Sequence, residues 1–271
     1  MTWSPDNMGE ELLQWLKADA ITGLSDTDPV TTWIDSSPNS RDVAGSGTAR
    51  PLYLSNQINA LPAVNFDGSN DVLSSSQYTL AGQRVAMVVV CKFDSLKNYN
   101  PVMQVHSTST PTYTGRVLWV NGYSDGAGYA GSNNYMSFAV GTLSTSALLL
   151  TVGHSDLTGA FVRKNGVALQ AGSGSYIWTP PVSNYSGPAF THLGDGGAGL
   201  GAGRFYDGSI AECVLCDCSY CDYLWVEWYL ANKYSIALNG QHPFYASAPT
   251  AGPRQSGGGP RLVNVRGGAD Q

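Results

Sequence analysis

The sequence predicts an all-β protein, a two-sheet antiparallel β-sandwich or jelly roll with one short C-terminal helix and an extended C-terminal arm. Three observations predict it. The 271 residues include 32 Gly, 14 Pro and 11% aromatics but only 13% charged side chains, a balance that suits short strands joined by many turns. Apolar and β-branched stretches recur between clusters of Gly, Asn, Asp and Ser, without the alternation of strands and long helices that marks a parallel sheet. A hydrophobic content of 42% over this length is enough for one sizeable core.

In chain order, the strand candidates are residues 30–35, 63–66, 84–93, 102–106, 117–120, 136–140, 147–152, 160–164 and 209–216. Between them lie turn signals: DGSN at 67–70, the Asn-Gly pairs at 121–122 and 165–166, and the glycine-rich DGGAGLGAG at 195–203. Residues 8–20 carry good helix formers, and Leu12, Leu13, Leu16 and Ile21 fall at helical spacing. A helix is better signalled near the end. There Ser219 and Asp222 form an S-x-x-D capping pattern, followed by Tyr223, Val226, Leu230 and Tyr234 on one stripe. No internal repeat is evident.

Composition changes after Pro243. Residues 1–243 read as one domain and 244–271 as an arm rich in Gly, Pro and Ala, which cannot bury a core of its own. The arm holds Arg254, Arg261 and Arg266 against Asp270, so it is basic while the whole chain carries −6. Within it, Arg261, Leu262, Val263, Asn264, Val265 and Arg266 form a β-prone strip suited to adding a strand to a neighbouring edge. The acidic balance, with a pI near 5.0, argues against a nucleic-acid surface. The longest apolar runs, 85–91 and 147–152, are far shorter than a bilayer-spanning helix, so no membrane insertion is expected. The first twenty residues have neither a basic start nor an apolar core, so no secretion signal is visible.

Three separated segments carry a family resemblance: TTWIDSSPNS at 31–40, NFDGSNDVL at 65–73, and GSIAECVLC with EWYLANKYSI within 208–236. Together they resemble the LamG-like, concanavalin A-like domains, over roughly the first 240 residues. The resemblance implies a concanavalin A-like sandwich whose members mostly bind glycans or serve as surface modules. It also implies an edge strand, not a helix, at the N-terminus, with Leu13, Trp15 and Lys17 on one face and Leu12, Gln14 and Leu16 on the other. Local helix propensity is a weak prior that strand pairing overrides, so the strand is expected.

Candidate chemistry is sparse. Cys213, Cys216, Cys218 and Cys221 spell C-x-x-C-x-C-x-x-C, but a structural zinc site usually pairs two such knuckles across a longer span. Buried thiols are the simpler reading, beside a disulfide or a metal, and Cys91 belongs to the core. Retaining glycosidases need two carboxylates about 5–5.5 Å apart, and the E-x-D-x-x-E strand pattern of the resembled glucanases is absent. Glu212 sits where the family carries a framework acid. No G-x-S-x-G elbow is present, and His106, His154, His192 and His242 are scattered, which suits turn and strand-end residues. The glycines of 194–203 lack the Lys-Ser/Thr of a phosphate loop. No cofactor is expected. The resemblance makes calcium the candidate ion, with Asp35, Asp67 and Asp71 as ligands, although Asx residues also cap turns for conformational reasons alone.

A binding surface is easier to motivate. Residues 121–137 set Tyr123, Tyr129 and Tyr135 among Asp125, Asn133 and Asn134 in what reads as a glycine-rich loop. Aromatic rings stack on sugar faces while amides and carboxylates bond hydroxyls; tyrosines also brace loops. The expected function is a non-enzymatic surface or assembly protein, first a phage virion component such as a capsid-decoration or tail-associated protein with glycan affinity. Its partners would be other virion or assembly subunits, itself included, and a cell-surface glycan. It would reside in the virion or on an extracellular surface. The alternatives are a carbohydrate-binding module or adhesin fragment, and third a glycoside hydrolase or lyase.

Overall fold

A computed structural model describes residues 3–95, 100–106, 116–121, 126–131, 134–139, 146–155, 159–169, 185–195, 204–217 and 223–246. The arm from residue 247 onward, with its Arg254, Arg261, Leu262, Val263, Val265 and Arg266, lies outside them. Among the described residues two antiparallel sheets and one α-helix form the fold, as the sequence predicts.

Sheet A has eight strands. In chain order they are β1 (Leu12–Lys17), β4 (Leu52–Ile58), β5 (Leu61–Asp67), β8 (Val85–Phe93), β13 (Leu148–Ser155), β14 (Gly159–Lys164), β15 (Val167–Ala168) and β17 (Asp207–Asp217). Across the sheet the order is β15-β14-β13-β8-β17-β5-β4, with β1 pairing the far half of β17. Sheet B has nine strands: β2 (Thr32–Trp33), β3 (Val43–Ala44), β6 (Leu73–Ser75), β7 (Tyr78–Gln83), β9 (Asn100–His106), β10 (Arg116–Asn121), β11 (Gly126–Gly131), β12 (Asn134–Ala139) and β16 (Tyr185–Leu193). Its order is β12-β11-β10-β9-β16-β6-β3-β2, with β7 on β16.

Strand β8 shows why its sequence, VAMVVVCKF, is apolar almost without alternation: both of its faces are covered. Val85, Met87, Val89, Cys91 and Phe93 join the core between the sheets, where Val102, Val105, Leu118, Ala189 and Leu193 answer from sheet B. Ala86, Val88 and Val90 face the other way, into a second core beneath helix α1 (Tyr223–Lys233). That layer is completed by Val226, Leu230 and Tyr234, the stripe read from the sequence, and by Trp3 and Met8 of the N-terminal segment. Full burial of one such side chain stabilises by about 1.5–3 kcal/mol. The helix ends in a Schellman motif: Ser235 adopts φ 52°, and the Ile236 and Ser235 amides donate to Ala231 and Asn232.

Two bulges decide which side chains face the helix. In β1 the register slips between Leu12 and Gln14. As a result Leu13 joins Leu16 in the inter-sheet core and Leu12 joins Trp15 under the helix, which corrects the simple alternation expected for those two leucines. In β17 the register slips between Ile210 and Glu212, so that Ala211 is the extra residue. A bulge re-aims the side chains that follow it. Ala211 lies in the helix-side core, and Glu212 beside it also meets the helix, where unbroken alternation would have turned it into the apolar core between the sheets.

Candidate functional site

Glu212 is fully buried, and its carboxylate accepts hydrogen bonds from Trp15 Nε1 at 2.5 Å, Lys233 Nζ at 2.6 Å and Tyr234 OH at 3.0 Å. Lys233 also pairs with Asp19 at 2.8 Å, tying the N-terminal segment to the last helical turn. Burial pushes the Glu212 carboxyl above its ordinary range despite Lys233. Glu227, on the buried stripe of α1, is bonded by Arg163 Nε at 2.8 and 3.1 Å and by His242 Nε2 at 3.1 Å. Burial opposes the charge there too, but His242 and Arg163 outweigh it and hold the carboxyl below its usual range. The Phe244 amide donates to His242 Nδ1 at 3.2 Å, so Nε2 carries the proton given to Glu227. Both glutamates are framework, as expected for Glu212. The ring of partners around Glu227 has no signature in the sequence.

The other candidate region is the outer face of sheet B. Thr191 Oγ1 donates to Gln14 Oε1 across the sandwich at 2.8 Å, and Ala189 and Leu193 lie in the inter-sheet core. Residues 190 and 192 of β16 therefore point outward. Backbone register lines up Thr32, Ala44, Ser74, His192, Gln104, Val117, Ala130 and Tyr135 as one cross-strand row on this face. Its middle is polar and closed to solvent: Gln104 is 1%, His106 0% and His192 3% exposed. The two imidazoles stack at 4.4 Å with planes 16° apart. Ser74 Oγ bonds His192 Nδ1 at 2.8 Å, and Gln104 Nε2 donates to the Asp195 carbonyl. Burial and then the neighbouring His106 push His192 down to about 3. The sequence signal was the alternation Gln104-Val105-His106 on β9; on β16 the apolar Phe190 shares the phase of His192 and the polar Thr191 points inward, so no such alternation marks that strand.

Nearly parallel rings direct their in-plane nitrogen lone pairs side by side rather than toward a shared point, so the pair is no chelate for a single ion. Among the described residues no three His, Cys, Asp or Glu side chains gather as a metal site. The calcium candidates act as turn formers. Asp35 accepts from the Trp15, Ser37 and Arg41 amides and from Ser37 Oγ, Asp67 from Ser69 and Asn70, and Asp71 from the Asp67 amide. Cys91 and Cys213 are buried and unbridged, and Cys216 is buried; Cys218 and Cys221 lie outside the described residues.

Of the expected sugar contacts, Tyr123, Asp125 and Asn133 lie outside the described residues, whereas Tyr129 falls in β11 and Asn134 and Tyr135 in β12. That corrects the loop expected here. Residues 126–131 form a central strand of a β10-β11-β12 meander despite their glycines, because a ladder needs only backbone partners. Tyr129 pairs opposite Leu118, a residue of the inter-sheet core, and Tyr135 opposite Ala130, so the two positions are out of phase.

No protein-family model matches the chain, and no curated protein does either. Solved structures do. The receptor-binding domain of botulinum neurotoxin D aligns with a TM-score of 0.53 at 10% identity, over 86% of this chain and 53% of that one. Trypanosoma rangeli sialidase aligns at 0.48 and 13%, over 76% of this chain and 30% of that one. Domain 4 of an extracellular arabinanase from Geobacillus stearothermophilus, solved with arabinotriose, aligns at 0.47 and 12%, over 71% and 94%. The chain thus spans about half of the neurotoxin domain and under a third of the sialidase. At these identities the likeness is one of fold.

Proposed function

We propose that this chain is a non-catalytic, lectin-like module of the LamG-like kind, displayed on an outer surface or built into a large particle, and that it recognises neutral glycans. The placement of the carboxylates carries the reading. Glu212 and Glu227 are consumed by the framework beneath the helix, and Glu10 and Glu11 belong to the N-terminal 3-10 turn, so no glutamate pair is available on sheet B for glycoside hydrolysis. The segments that flank the strands of sheet B offer uncharged chemistry instead. Residues 107–115, 170–184 and 196–203 contain no Asp, Glu, Lys, Arg or His, yet bring Tyr113, Tyr176 and Trp178, the aromatic and hydroxyl chemistry that suits uncharged sugars. The fold shared with a receptor-binding domain is consistent with this role.

Affinity electrophoresis of the intact chain through gels containing neutral polysaccharides tests it. Retardation without chain shortening is the expected outcome, weakened by joint replacement of Tyr123, Asn134 and Tyr135 with Ala. Release of new reducing ends would overturn the reading in favour of a hydrolase.

The basic arm on an acidic chain favours a second setting, incorporation into a virion or similar assembly through Arg254, Arg261 and Arg266. Deleting residues 246–271 should then abolish co-sedimentation with particles while the sandwich stays folded. Normal incorporation of the truncated chain would remove the arm from the account.

A further inference from the structure

We propose that the stacked His106–His192 pair is an acid-sensitive keystone of sheet B, holding β9 against β16 while His192 is neutral and loosening the outer face when His192 gains a proton. The geometry is specific. The rings come from adjacent strands, lie face to face at 4.4 Å and are shut away from water. His192 Nδ1 is committed to Ser74 Oγ, and its Nε2 is buried without a hydrogen-bond partner among the described residues. A charge placed on this ring meets no described carboxylate and faces a second imidazole.

Among the described residues no counter-charge pairs with His192. On β6, β7, β9, β10 and β16 the ionisable residues beyond the pair are Tyr78, Arg116 and Tyr185, with Asp195 just past β16. Tyr78 bonds Thr191 on the inner side, and Asp195 meets Gln104 through its backbone carbonyl. The downward displacement of His192 agrees with this picture. A histidine in an opened strand takes up its proton near 6.5, whereas the stacked one resists until far lower pH. Each pH unit below 6.5 therefore shifts the closed-to-open ratio about tenfold toward open.

Hydrogen exchange of the intact chain between pH 7.5 and 4.5 tests the proposal. Exchange in residues 100–106 and 185–193 is taken as a ratio to exchange in residues 223–233, which cancels the intrinsic pH dependence of the chemistry. The expected result is a ratio rising about tenfold per unit below pH 6.5 in the wild type and in H106F, which leaves His192 in place, and flat in H192F, which keeps an aromatic stack but removes the titrating ring. A flat wild-type ratio would overturn the proposal, as would a rise that persists in folded H192F. If H192F fails to fold, the histidine ring-proton NMR titration of the wild type decides: a His192 transition well below 6.5 supports the keystone, and one near 6.5 refutes it.

Discussion

The two outer sides of this sandwich both bury ionisable groups, and they do so in opposite ways. Beneath the helix each buried carboxylate meets a cation, Lys233 for Glu212 and Arg163 for Glu227. On sheet B a buried imidazole meets another imidazole. The helix side thus pairs its buried carboxylates with cations and uses these pairs to fix α1, the N-terminal segment and the residues around His242 to sheet A. The sheet B side instead buries His192 beside His106, where burial disfavours its charge and no counter-ion faces it among the described residues.

Removing one partner of a buried pair gives the largest predicted effect. Arg163→Ala leaves Glu227 charged and enclosed, which should cost about 3–5 kcal/mol in urea unfolding, while loss of a comparable exposed pair would cost under about 1 kcal/mol. Lys233→Met should follow at about 2–3 kcal/mol, reduced because Lys233 is 18% exposed. If either variant were as stable as the wild type, the framework role of the helix side would be lost.

The comparison sharpens with pH. Glu227 has a folded-state pKa below its ordinary 4.5, so its contribution is complete above 4.5 and is lost as pH falls through the folded value. Glu212 is displaced upward, so its contribution is complete at acid pH and is lost as pH rises from 4.5 through the folded value. Stability profiles of E227Q and E212Q between pH 3 and 7 should therefore depart from the wild type with opposite slopes, and parallel slopes would contradict the assignment. On sheet B, Ser74→Ala removes one hydrogen bond to His192 and should cost about 1 kcal/mol.

Much of the framework is legible from residue pattern. The stripe Tyr223, Val226, Leu230, Tyr234 marks the helix, and the unbroken VAMVVVC marks a strand covered on both faces. Strands β4, β7 and β16 escape such a reading. β16 carries Gly187 and Pro188, β7 carries Gly82, and β4 is largely exposed along LYLSNQI, so none presents a clean apolar alternation. The faces of Leu12, Leu13 and Glu212 are set by bulges, which depend on a partner strand distant in sequence. The His106–His192 contact and the Arg163–Glu227–His242 cluster likewise exist only once β9 meets β16 and α1 meets β14. Local spacing cannot announce them.

The central claim is that recognition belongs to sheet B and framework to the helix side. Its most direct test is the hydrogen-exchange footprint, on the intact chain, of the neutral glycan best retained in a glycan array. The account predicts slowed exchange in residues 100–106, 116–121, 134–139 and 185–193, with residues 223–238 unchanged. Protection confined to residues 223–238, or retention of no neutral glycan at all, would contradict it.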